Sequence, residues 1–424
     1  MSDAFSPYRE RAAELDAADE LARFRDEFVI DDPSLVYLDG NSLGRLPKRT
    51  ADRLAEVARG EWGARLIGGW NAGWWELSRR AGAVVAELIG ARADEVVLCD
   101  SVSVNLFKLL GAFAQAAPPE RRTILVETTN FPSDHYIAQG VAGLLGGGWR
   151  VERVSLDGAA PDEAEARLAE AFAARPAVAV LSHVAFKSGL RLDLAQVNAA
   201  ARAQGVRVVW DFSHSAGAVP IDCAGDGVEA AVGCTYKYLN GGPGAPAFLY
   251  LRGDVAGELR NPVAGWFGHR APFAMEMDYA PAPGASAFLA GTTPILSAVA
   301  AEEGARLVLE AGVERLWAKA RRQLDLLREL AEGQLAAHGF RVATPRGRHG
   351  SHLSLAHPSA WQICQALVAG GVVPDFRAPD LVRFGIAPIY SRFEDIVEAA
   401  ARLDRIMAGG TWRAFPMAPS ATVT

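Results

Sequence analysis

Short runs of apolar, often β-branched residues alternate with longer segments of helical periodicity from about residue 95 onwards. This alternation is typical of a mostly parallel sheet wrapped by helices, so the pattern predicts an α/β fold. The apolar runs predict a central sheet of about seven strands. These strands are expected at residues 95–99, 123–127, 150–154, 177–181, 207–210, 230–233 and 247–251.

A long segment rich in Ala, Leu, Glu and Arg follows Pro294 and runs to about residue 337. It is too long for one ordinary globular helix, so we expect a break near Gly312. Beyond this segment the pattern predicts a smaller α+β unit. Its strands are expected at 339–344, 351–356, 372–376 and 381–384, and its helices at 361–370 and 393–407.

Three regions follow from this pattern. We expect a helical N-terminal arm at 1–60 that contributes to the small domain, a large domain at 61–310, and a small α+β domain at 311–424. The last dozen residues have the composition of a frayed end.

Composition and charge narrow the class of partner. The 424 residues carry a formal net charge of −7, with acids and bases well mixed, so the chain lacks the basic face that nucleic acid requires. No apolar run approaches the ~20 residues of a membrane span, and the first residues mix charges where a signal peptide would be apolar. We therefore expect a cytoplasmic protein with a small-molecule substrate and no membrane or nucleic-acid partner.

Cysteines and histidines give no metal signature. The four cysteines are Cys99, Cys223, Cys234 and Cys364, and none forms a C-x-x-C pair. They are predicted to be small buried side chains. His349, His352 and His357 have a loosely metal-like spacing, but no carboxylate joins them at ligand spacing. We expect solvated or locally bonded histidines there, and no metal site.

Two apolar strands end in ionisable residues. Asp211 ends one run, with His214 just after it, and Lys237 follows the next run. Alone, Asp211 is explained as a turn cap and Lys237 as a solvated charge. Because ligands bind at the carboxyl ends of strands in such sheets, the two side chains are expected to lie together. A lysine that forms a Schiff base and a carboxylate that keeps a ring nitrogen protonated are the pair that pyridoxal phosphate requires.

Two strand-to-helix junctions offer further cofactor contacts. Residues 100–105 (DSVSVN) open a helix, where Ser103 and backbone N–H groups would face an anion. A plain serine cap explains the same residues. At 130–135 (NFPSDH), Phe131 is placed to cover a flat ring and Asp134 to orient it. A capped, proline-started helix explains that segment without a ligand.

Together with these residues, several longer segments resemble the kynureninases, a family of fold type I pyridoxal-phosphate enzymes with an aspartate-aminotransferase-like fold. The segments are 37–44 (YLDGNSLG), 131–134 (FPSD), 211–219 (DFSHSAGAV), 234–240 (CTYKYLN), 265–269 (GWFGH) and 291–296 (GTTPIL). The resemblance runs from about residue 37 to residue 388. It implies pyridoxal 5′-phosphate as cofactor and hydrolysis of L-kynurenine to anthranilate and L-alanine.

The resemblance also implies which residues surround the cofactor, with Lys237 as the covalent attachment point. The implied set is Val102, Ser103, Phe131, Pro132, Ser133, Asp134, Ser182, Asp211, His214, Tyr236, Lys237, Trp266 and Thr292. Trp266 and Thr292 would reach across from a partner subunit, which implies a homodimer with its active site at the interface. Tyr236, beside the lysine, is interpreted either as a catalytic acid or as a phosphate ligand only.

Three further residues are implied on the substrate side. Arg383 would clamp the α-carboxylate with its planar fork, and the alternative is an exposed strand-end arginine. Asn41 is a second expected contact. Trp70 and Thr292 stand where animal-type enzymes that prefer the hydroxylated substrate tend to carry His and Asn, so the resemblance implies that kynurenine is preferred over 3-hydroxykynurenine. Ordinary core packing of Trp70 is the alternative.

Asp211 and Lys237 alone do not select a reaction. A cysteine desulfurase or a transaminase of the same fold is one alternative, and a non-catalytic cofactor-binding regulator is another. A desulfurase needs a mobile, reactive thiol, whereas the cysteines of this chain lie in apolar segments. Whether the chain serves tryptophan breakdown or pyridine-nucleotide synthesis stays open.

Overall fold

A computed structural model of the chain describes residues 4–417. Most of the segment predicted to fray lies outside that range. The strands, in chain order, are β1 (Val36–Tyr37), β2 (Val96–Leu98), β3 (Thr123–Glu127), β4 (Arg150–Val154), β5 (Val178–Ser182), β6 (Arg207–Asp211), β7 (Ala230–Gly233), β8 (Phe248–Leu251), β9 (Arg341–Val342), β10 (His352–Ala356), β11 (Val372–Val373), β12 (Asp375–Arg377) and β13 (Leu381–Gly385).

Helices precede, separate and follow these strands. They are α1 (Ser6–Ala17), α2 (Lys48–Glu56), α3 (Leu77–Leu88), α4 (Val102–Ala116), α5 (Pro132–Leu145), α6 (Pro161–Phe172), α7 (Leu194–Ala203), α8 (Gly253–Ala256), α9 (Ile295–Ala311), α10 (Val313–Glu332), α11 (Ala360–Ala369) and α12 (Phe393–Gly409). None of the helices within residues 4–417 combines the length and the apolar character that crossing a membrane requires.

The central sheet contains seven of the described strands, in the order β4-β3-β5-β6-β7-β8-β2. Neighbouring strands are parallel from β4 to β7, and β8 runs antiparallel to both β7 and β2. The predicted mostly parallel α/β sheet is therefore confirmed. Each predicted strand matches an observed one to within one residue at either end.

Both faces of this sheet are buried except along the edge strand β4, which is why most of its strands are apolar runs whereas β4 (RVERV) is not. Along β5, the side chains of Val178 and Val180 pack into an apolar cluster on one face. Ala179 and Leu181 pack into a second cluster on the other face. The alternation follows the pleat of the strand, and helices cover both clusters.

The carboxyl ends of the parallel strands meet at one edge of the sheet. Ser182, the last residue of β5, is the register partner of Asp211, the last residue of β6. The chain leaves β7 at Gly233 and reaches Lys237 four residues later. The sheet therefore brings the predicted Asp211 and Lys237 to the same edge.

The C-terminal part of the chain forms a smaller antiparallel sheet, in the order β12-β13-β10-β9. The single strand predicted at 372–376 is wrong, because two short strands replace it. Pro374 lies between them and has no N–H to donate to a ladder. As a result β11 pairs with β1, while β12 pairs with β13.

The expected break in the long helical segment is confirmed at Gly312, whose φ of 82° lies in the left-handed region that favours glycine. The N-terminal arm packs against both parts of the molecule. Phe5 and Ala12 join the apolar cluster of the C-terminal sheet, and Phe24 and Phe28 join a cluster of the central sheet. The boundaries at residues 60 and 310 stay predictions.

Candidate active site

A cavity of about 350 Å³ opens at the carboxyl ends of the central strands, beneath residues of the smaller sheet. Most of the residues predicted for the site contribute to its lining. These are Asn41, Val102, Ser103, Phe131, Ser133, Ser182, Asp211, His214, Tyr236, Lys237 and Arg383. The fold therefore gathers side chains that are up to 342 positions apart in the chain into one pocket, as the span from Asn41 to Arg383 shows.

Lys237 occupies a turn just after β7. Its Nζ lies 3.0 Å from Nε2 of His214. The N-terminal segment supports the turn, since the N–H of Gly44 donates to the carbonyl of Tyr236 at 2.8 Å. A Cβ on Gly44 would overlap the carbonyl oxygen of Lys237, so this close approach requires glycine.

Three buried carboxyl groups lie behind the lysine. Oδ1 of Asp211 accepts from the N–H of Ser213 at 2.7 Å. Asp134 is 1% exposed, and its Oδ2 has no hydrogen-bond partner among the described residues. Burial raises the pKa of Asp211, raises that of Asp134 well above its usual range, and raises that of Glu127 to about 7. This group of carboxyl side chains is arranged to receive a positively charged ring.

The helix α4 presents its first turn to the cavity. Ser101 is the N-cap, and its Oγ accepts from the N–H of Val104 at 3.3 Å. Ser101 rather than Ser103 therefore caps the helix. Val102 and Ser103, in the first turn, line the cavity. The positive end of the helix is thus directed at the pocket, where an anion is favoured.

Helix α5 begins as predicted, with Phe131 at its N-cap and Pro132 at its first position. The ring of Phe131 is 43% exposed and packs edge-on against Phe186, with ring centroids 5.2 Å apart. Both rings line the cavity, whereas Pro132 and the buried Asp134 lie in the same helical turn behind the lining.

Arg383 is only 1% exposed, so the alternative of an exposed strand-end arginine is wrong. Its Nε donates to Oδ1 of Asp375 at 2.8 Å, and its Nη2 donates to Oδ2 of the same carboxylate. Its Nη1 donates to the carbonyl of Phe186, and Nη2 also donates to Oγ of Ser42 at 3.1 Å. The guanidinium is therefore held rigidly at the cavity wall.

Asn41 adjoins this guanidinium. In the amide orientation that its neighbours require, its oxygen accepts from Nε of Arg383 at 2.8 Å and its nitrogen donates to Oδ1 of Asp39 at 3.2 Å. Burial, followed by repulsion from Asp375, raises the pKa of Asp39 to about 7.

Besides Pro132 and Asp134, three predicted residues do not line the cavity of a single chain, namely Trp70, Trp266 and Thr292. Trp70 packs edge-on against Phe267, with ring centroids 5.9 Å apart. Trp266 is 43% exposed and packs against the same phenylalanine, with ring centroids 4.6 Å apart. Thr292 is exposed. None of the three is among the residues that line the cavity containing Lys237.

Several lining residues were not predicted from the sequence, namely Ser42, Ser101, Phe186, Ser213, Cys234, Ala245, Ala247 and Arg377. Arg377 had a usable signal, because Asp375 and Arg377 are two positions apart on a strand and so share one face. Ser42 lies within the predicted segment 37–44, and only its contact with Arg383 identifies it.

The histidines behave differently from one another. Local bonding is confirmed for His349, which bonds the Gly350 carbonyl at 2.9 Å, and for His357, which accepts from the N–H of Ser359 at 3.0 Å. For His352 the prediction is wrong, because this ring is fully buried against His214 with both nitrogens unpartnered within residues 4–417. No group of three or more His, Cys, Asp or Glu side chains in that range is arranged to hold a metal.

The four cysteines, all inside the described range, are buried as predicted. Cys234 borders the cavity, and its Sγ lies 3.8 Å from the carbonyl of Ser213. Burial raises the pKa of this thiol. The side chain is therefore a poor nucleophile at neutral pH.

Pyridoxal 5′-phosphate fits these residues. An amine for the aldehyde carbon is present at Lys237, and the unpartnered Oδ2 of Asp134 beside Asp211 calls for a positive charge. The helix end at Ser103 and the hydroxyl groups around it suit a phosphate. Lysine, carboxylate and anion site lie in one pocket, which is the donor set that this cofactor needs.

Comparison with known proteins identifies the family of the chain. The family model described as Aminotransferase class-V matches residues 36–358, and the model described as Kynureninase C-terminal domain matches residues 316–403. A kynureninase of Burkholderia mallei is 41% identical over 98% of this chain and 99% of its own length. A kynureninase of Pseudomonas fluorescens is 42% identical over 94% of this chain and 95% of its own.

Solved structures show the same fold at low identity. A cysteine desulfurase from Thermococcus onnurineus superposes with a TM-score of 0.77 at 17% identity, covering 92% of this chain and 98% of that one. The cystine C–S lyase C-DES superposes with a TM-score of 0.78 at 20% identity, covering 88% and 98%. The fold is thus that of the fold type I enzymes, and the extent and identity of the curated matches show that the chain belongs to the kynureninase family.

Proposed function

We propose that this pyridoxal-phosphate enzyme hydrolyses L-kynurenine to anthranilate and L-alanine. The observation that carries the proposal is the shared pocket of Lys237 and Arg383, which come from the large and the small sheet regions. An amine that reacts with the cofactor and a fixed positive charge that attracts an α-carboxylate are what an α-amino acid substrate requires. Relatives named kynureninase, similar over nearly the whole chain, support kynurenine as that amino acid.

The bound cofactor supplies an electron sink that stabilises negative charge at the substrate α-carbon. Asp211 sits at the end of β6, and its burial beside Asp134 favours a proton shared with a neighbouring basic nitrogen. Holding that proton near the ring is the task we assign to Asp211.

Lys237 is the base that we assign to the substrate α-proton. Its amine contacts the imidazole of His214. Burial, followed by the charge of Lys237, lowers the pKa of His214 well below its usual range. The imidazole is therefore neutral and does not compete with Lys237 as a cation. The contact fixes the amine at the strand end, where a positioned base is most effective.

Tyr236 lies beside the lysine and lines the cavity. Burial raises the pKa of its phenol, so the group keeps its proton at neutral pH. A protonated phenol suits both interpretations of this residue, because an acid that protonates a developing carbanion and a donor to phosphate each need that hydrogen. A Tyr236→Phe variant separates them, since loss of the acid lowers kcat while loss of a phosphate ligand weakens cofactor binding.

We also propose a homodimer whose partner completes each site. Two neighbouring segments of one chain carry exposed apolar side chains, which are Trp62, Leu66, Ile67, Trp266, Phe273, Met275 and Met277. Exposed apolar patches of this kind mark protein–protein interfaces. Trp266 belongs to this surface and Thr292 is exposed, and neither lines the cavity of its own chain, so both are available to a second copy.

Preference for kynurenine over the 3-hydroxylated substrate is part of the same proposal. Trp70 packs against Phe267 beside Trp266, and thus on the surface proposed to face a partner. In that position its apolar indole would leave a ring hydroxyl without a hydrogen-bond partner. The ratio of kcat/KM for the two substrates tests the preference, and Trp70→His is expected to reduce it. The cytoplasmic location expected from the sequence also belongs to this proposal.

Purified enzyme supplied with pyridoxal phosphate and L-kynurenine is expected to release fluorescent anthranilate and equimolar L-alanine. Turnover without anthranilate, accompanied by a keto acid product, would indicate a transaminase instead.

Mixed dimers test the shared site. Lys237→Ala and Trp266→Ala subunits, each inactive with itself, are expected to regain partial activity when combined, because one of the two sites then has both native residues.

A further inference from the structure

Strand geometry brings three charged side chains to one face of the smaller sheet. Asp375 and Arg377 are two positions apart on β12, so they point the same way. Arg383 is the register partner of Asp375 on the neighbouring strand β13. The two arginines therefore flank one carboxylate, at the wall of the cavity that contains Lys237.

Arg383 has little hydrogen-bonding capacity left for a ligand. A guanidinium has five N–H groups. In Arg383, Nε and Nη2 bond Asp375, Nη2 also bonds Ser42, and Nη1 bonds the carbonyl of Phe186. One N–H, on Nη1, is left over after these bonds, so Arg383 by itself cannot offer a carboxylate the two parallel donors of a fork.

Arg377 has the donors that Arg383 lacks. Its side chain is 30% exposed, against 1% for Arg383, and it lines the same cavity. Its Nη2 donates to Asp375 and to Oγ of Ser42 at 3.2 Å. Its Nε is buried without a partner, and its Nη1 makes no hydrogen bond within the described residues.

The charges around these arginines leave room for an anion. Asp375 is a single carboxylate shared by two guanidinium groups. The other nearby acid is Asp39, which bonds the amide of Asn41. Burial raises the pKa of Asp39 to about 7, so this group only partly offsets the second positive charge near neutral pH.

We propose that Arg377 is a second substrate-binding arginine, which receives the substrate α-carboxylate through its Nε and Nη1 while Arg383 contributes its remaining Nη1 hydrogen. The inference deepens the proposed function and rests on it. Asp375 and Ser42 hold both guanidinium groups in place, so the carboxylate meets a preorganised pair of cations.

The test compares a ligand with its decarboxylated counterpart in the full-length holoenzyme. Kynuramine is L-kynurenine without the α-carboxylate, and it serves as a competitive inhibitor. Arg377→Gln is expected to raise KM for L-kynurenine about 10- to 100-fold, the usual effect of losing a charge-assisted hydrogen-bond pair. Its kcat and its inhibition constant for kynuramine are expected to stay within about threefold of wild type, because neither depends on the carboxylate.

Arg377→Lys provides the second variant. It keeps the charge beside Asp375 but lacks the fork, so it is expected to bind kynurenine more weakly than wild type and kynuramine equally well. Arg341→Gln, an exposed arginine of β9 in the same sheet, is the matched control and is expected to match wild type. The proposal would be overturned if the Arg377 variants bound both ligands equally more weakly than wild type, or if they bound both as tightly as wild type.

A parallel titration separates this inference from the proposed function. L-Alanine and ethylamine differ by the α-carboxylate, and their binding to the holoenzyme is followed by cofactor absorbance. Arg377→Gln is expected to weaken the binding of L-alanine and to leave the binding of ethylamine unchanged. If wild type releases no anthranilate, the proposed function fails, while the L-alanine comparison still decides the role of Arg377.

Discussion

The amine of Lys237 lies 3.0 Å from Nε2 of His214, and the imidazole that it contacts is buried with its Nδ1 unpartnered among residues 4–417. Burial and the nearby ammonium keep the pKa of His214 well below its usual range. A neutral imidazole therefore positions the lysine without adding charge. The arrangement is costly for the protein alone, since a buried polar atom lacks its hydrogen bond, and it indicates selection for the site rather than for stability.

His214→Phe separates these two effects. The variant removes the unpartnered Nδ1, so the apoenzyme is expected to unfold at the same or a higher temperature than wild type. It also removes the partner of Lys237, so the dissociation constant of pyridoxal phosphate is expected to rise roughly tenfold or more. Thermal unfolding of the apoenzyme and a cofactor titration measure the two quantities. An unstable apoenzyme with normal cofactor affinity would show that His214 serves the fold.

Gly385→Ala tests the support of Arg383 by Asn41. A Cβ at position 385 would overlap the amide of Asn41, which in turn bonds Arg383. The amide is expected to move and KM for kynurenine to rise roughly tenfold, with a smaller effect on kcat. Gly140→Ala is the matched control, because a Cβ there meets no atom within 4 Å. Unchanged kinetics in Gly385→Ala would show that Asn41 does not support the substrate site.

Glu127→Gln tests the buried carboxyl at the end of β3. Burial raises the pKa of Glu127 to about 7 from an ordinary value of 4.5, so the folded protein holds a proton that the unfolded chain releases between these pH values. The contribution of Glu127 to the free energy of unfolding is therefore expected to fall as pH rises from 4.5 to about 7, by at most about 3 kcal/mol, and to change no further above that range. A glutamine at this position does not titrate, so its contribution to the free energy of unfolding does not change with pH.

The measured quantity is the difference in unfolding free energy between Glu127→Gln and wild type at several pH values, with equal cofactor loading. The difference is expected to be smallest near pH 4 and to grow in favour of glutamine up to about pH 7. Glu170→Gln, on the exposed face of α6, supplies the baseline. A gap that does not vary with pH would mean that Glu127 has the same pKa in the folded protein as in the unfolded chain, and would contradict the prediction.

Much of the fold could be predicted from the sequence because its central strands are buried on both faces. Runs such as β5 and β6 have few polar interruptions, so their limits are visible in the pattern. The short strands of the C-terminal part of the chain were harder to predict. The segment 372–376 (VVPDF) was predicted as one strand, and only the pairing of β11 with β1 and of β12 with β13 shows that it belongs to two.

The site was predictable where chemistry is carried at strand ends, as at Asp211 and Lys237. It was not predictable where a residue acts through contacts between distant segments. Ser42 and Arg377 are 335 positions apart and share a hydrogen bond. The two-residue spacing of Asp375 and Arg377 was a signal for Arg377, whereas Ser42 does not stand out in its own segment. His352 was misjudged for a related reason, since its environment is set by His214, which lies in a turn after β6 of the central sheet.

The covalent attachment of the cofactor to Lys237 is the most direct measurement. Holoenzyme reduced with borohydride, digested and mapped by mass spectrometry is expected to carry the pyridoxyl group on the peptide containing Lys237. The Lys237→Ala variant is expected to carry none. A label on another lysine of wild type, or no label at all, would contradict the assignment of the site and the chemistry proposed from it.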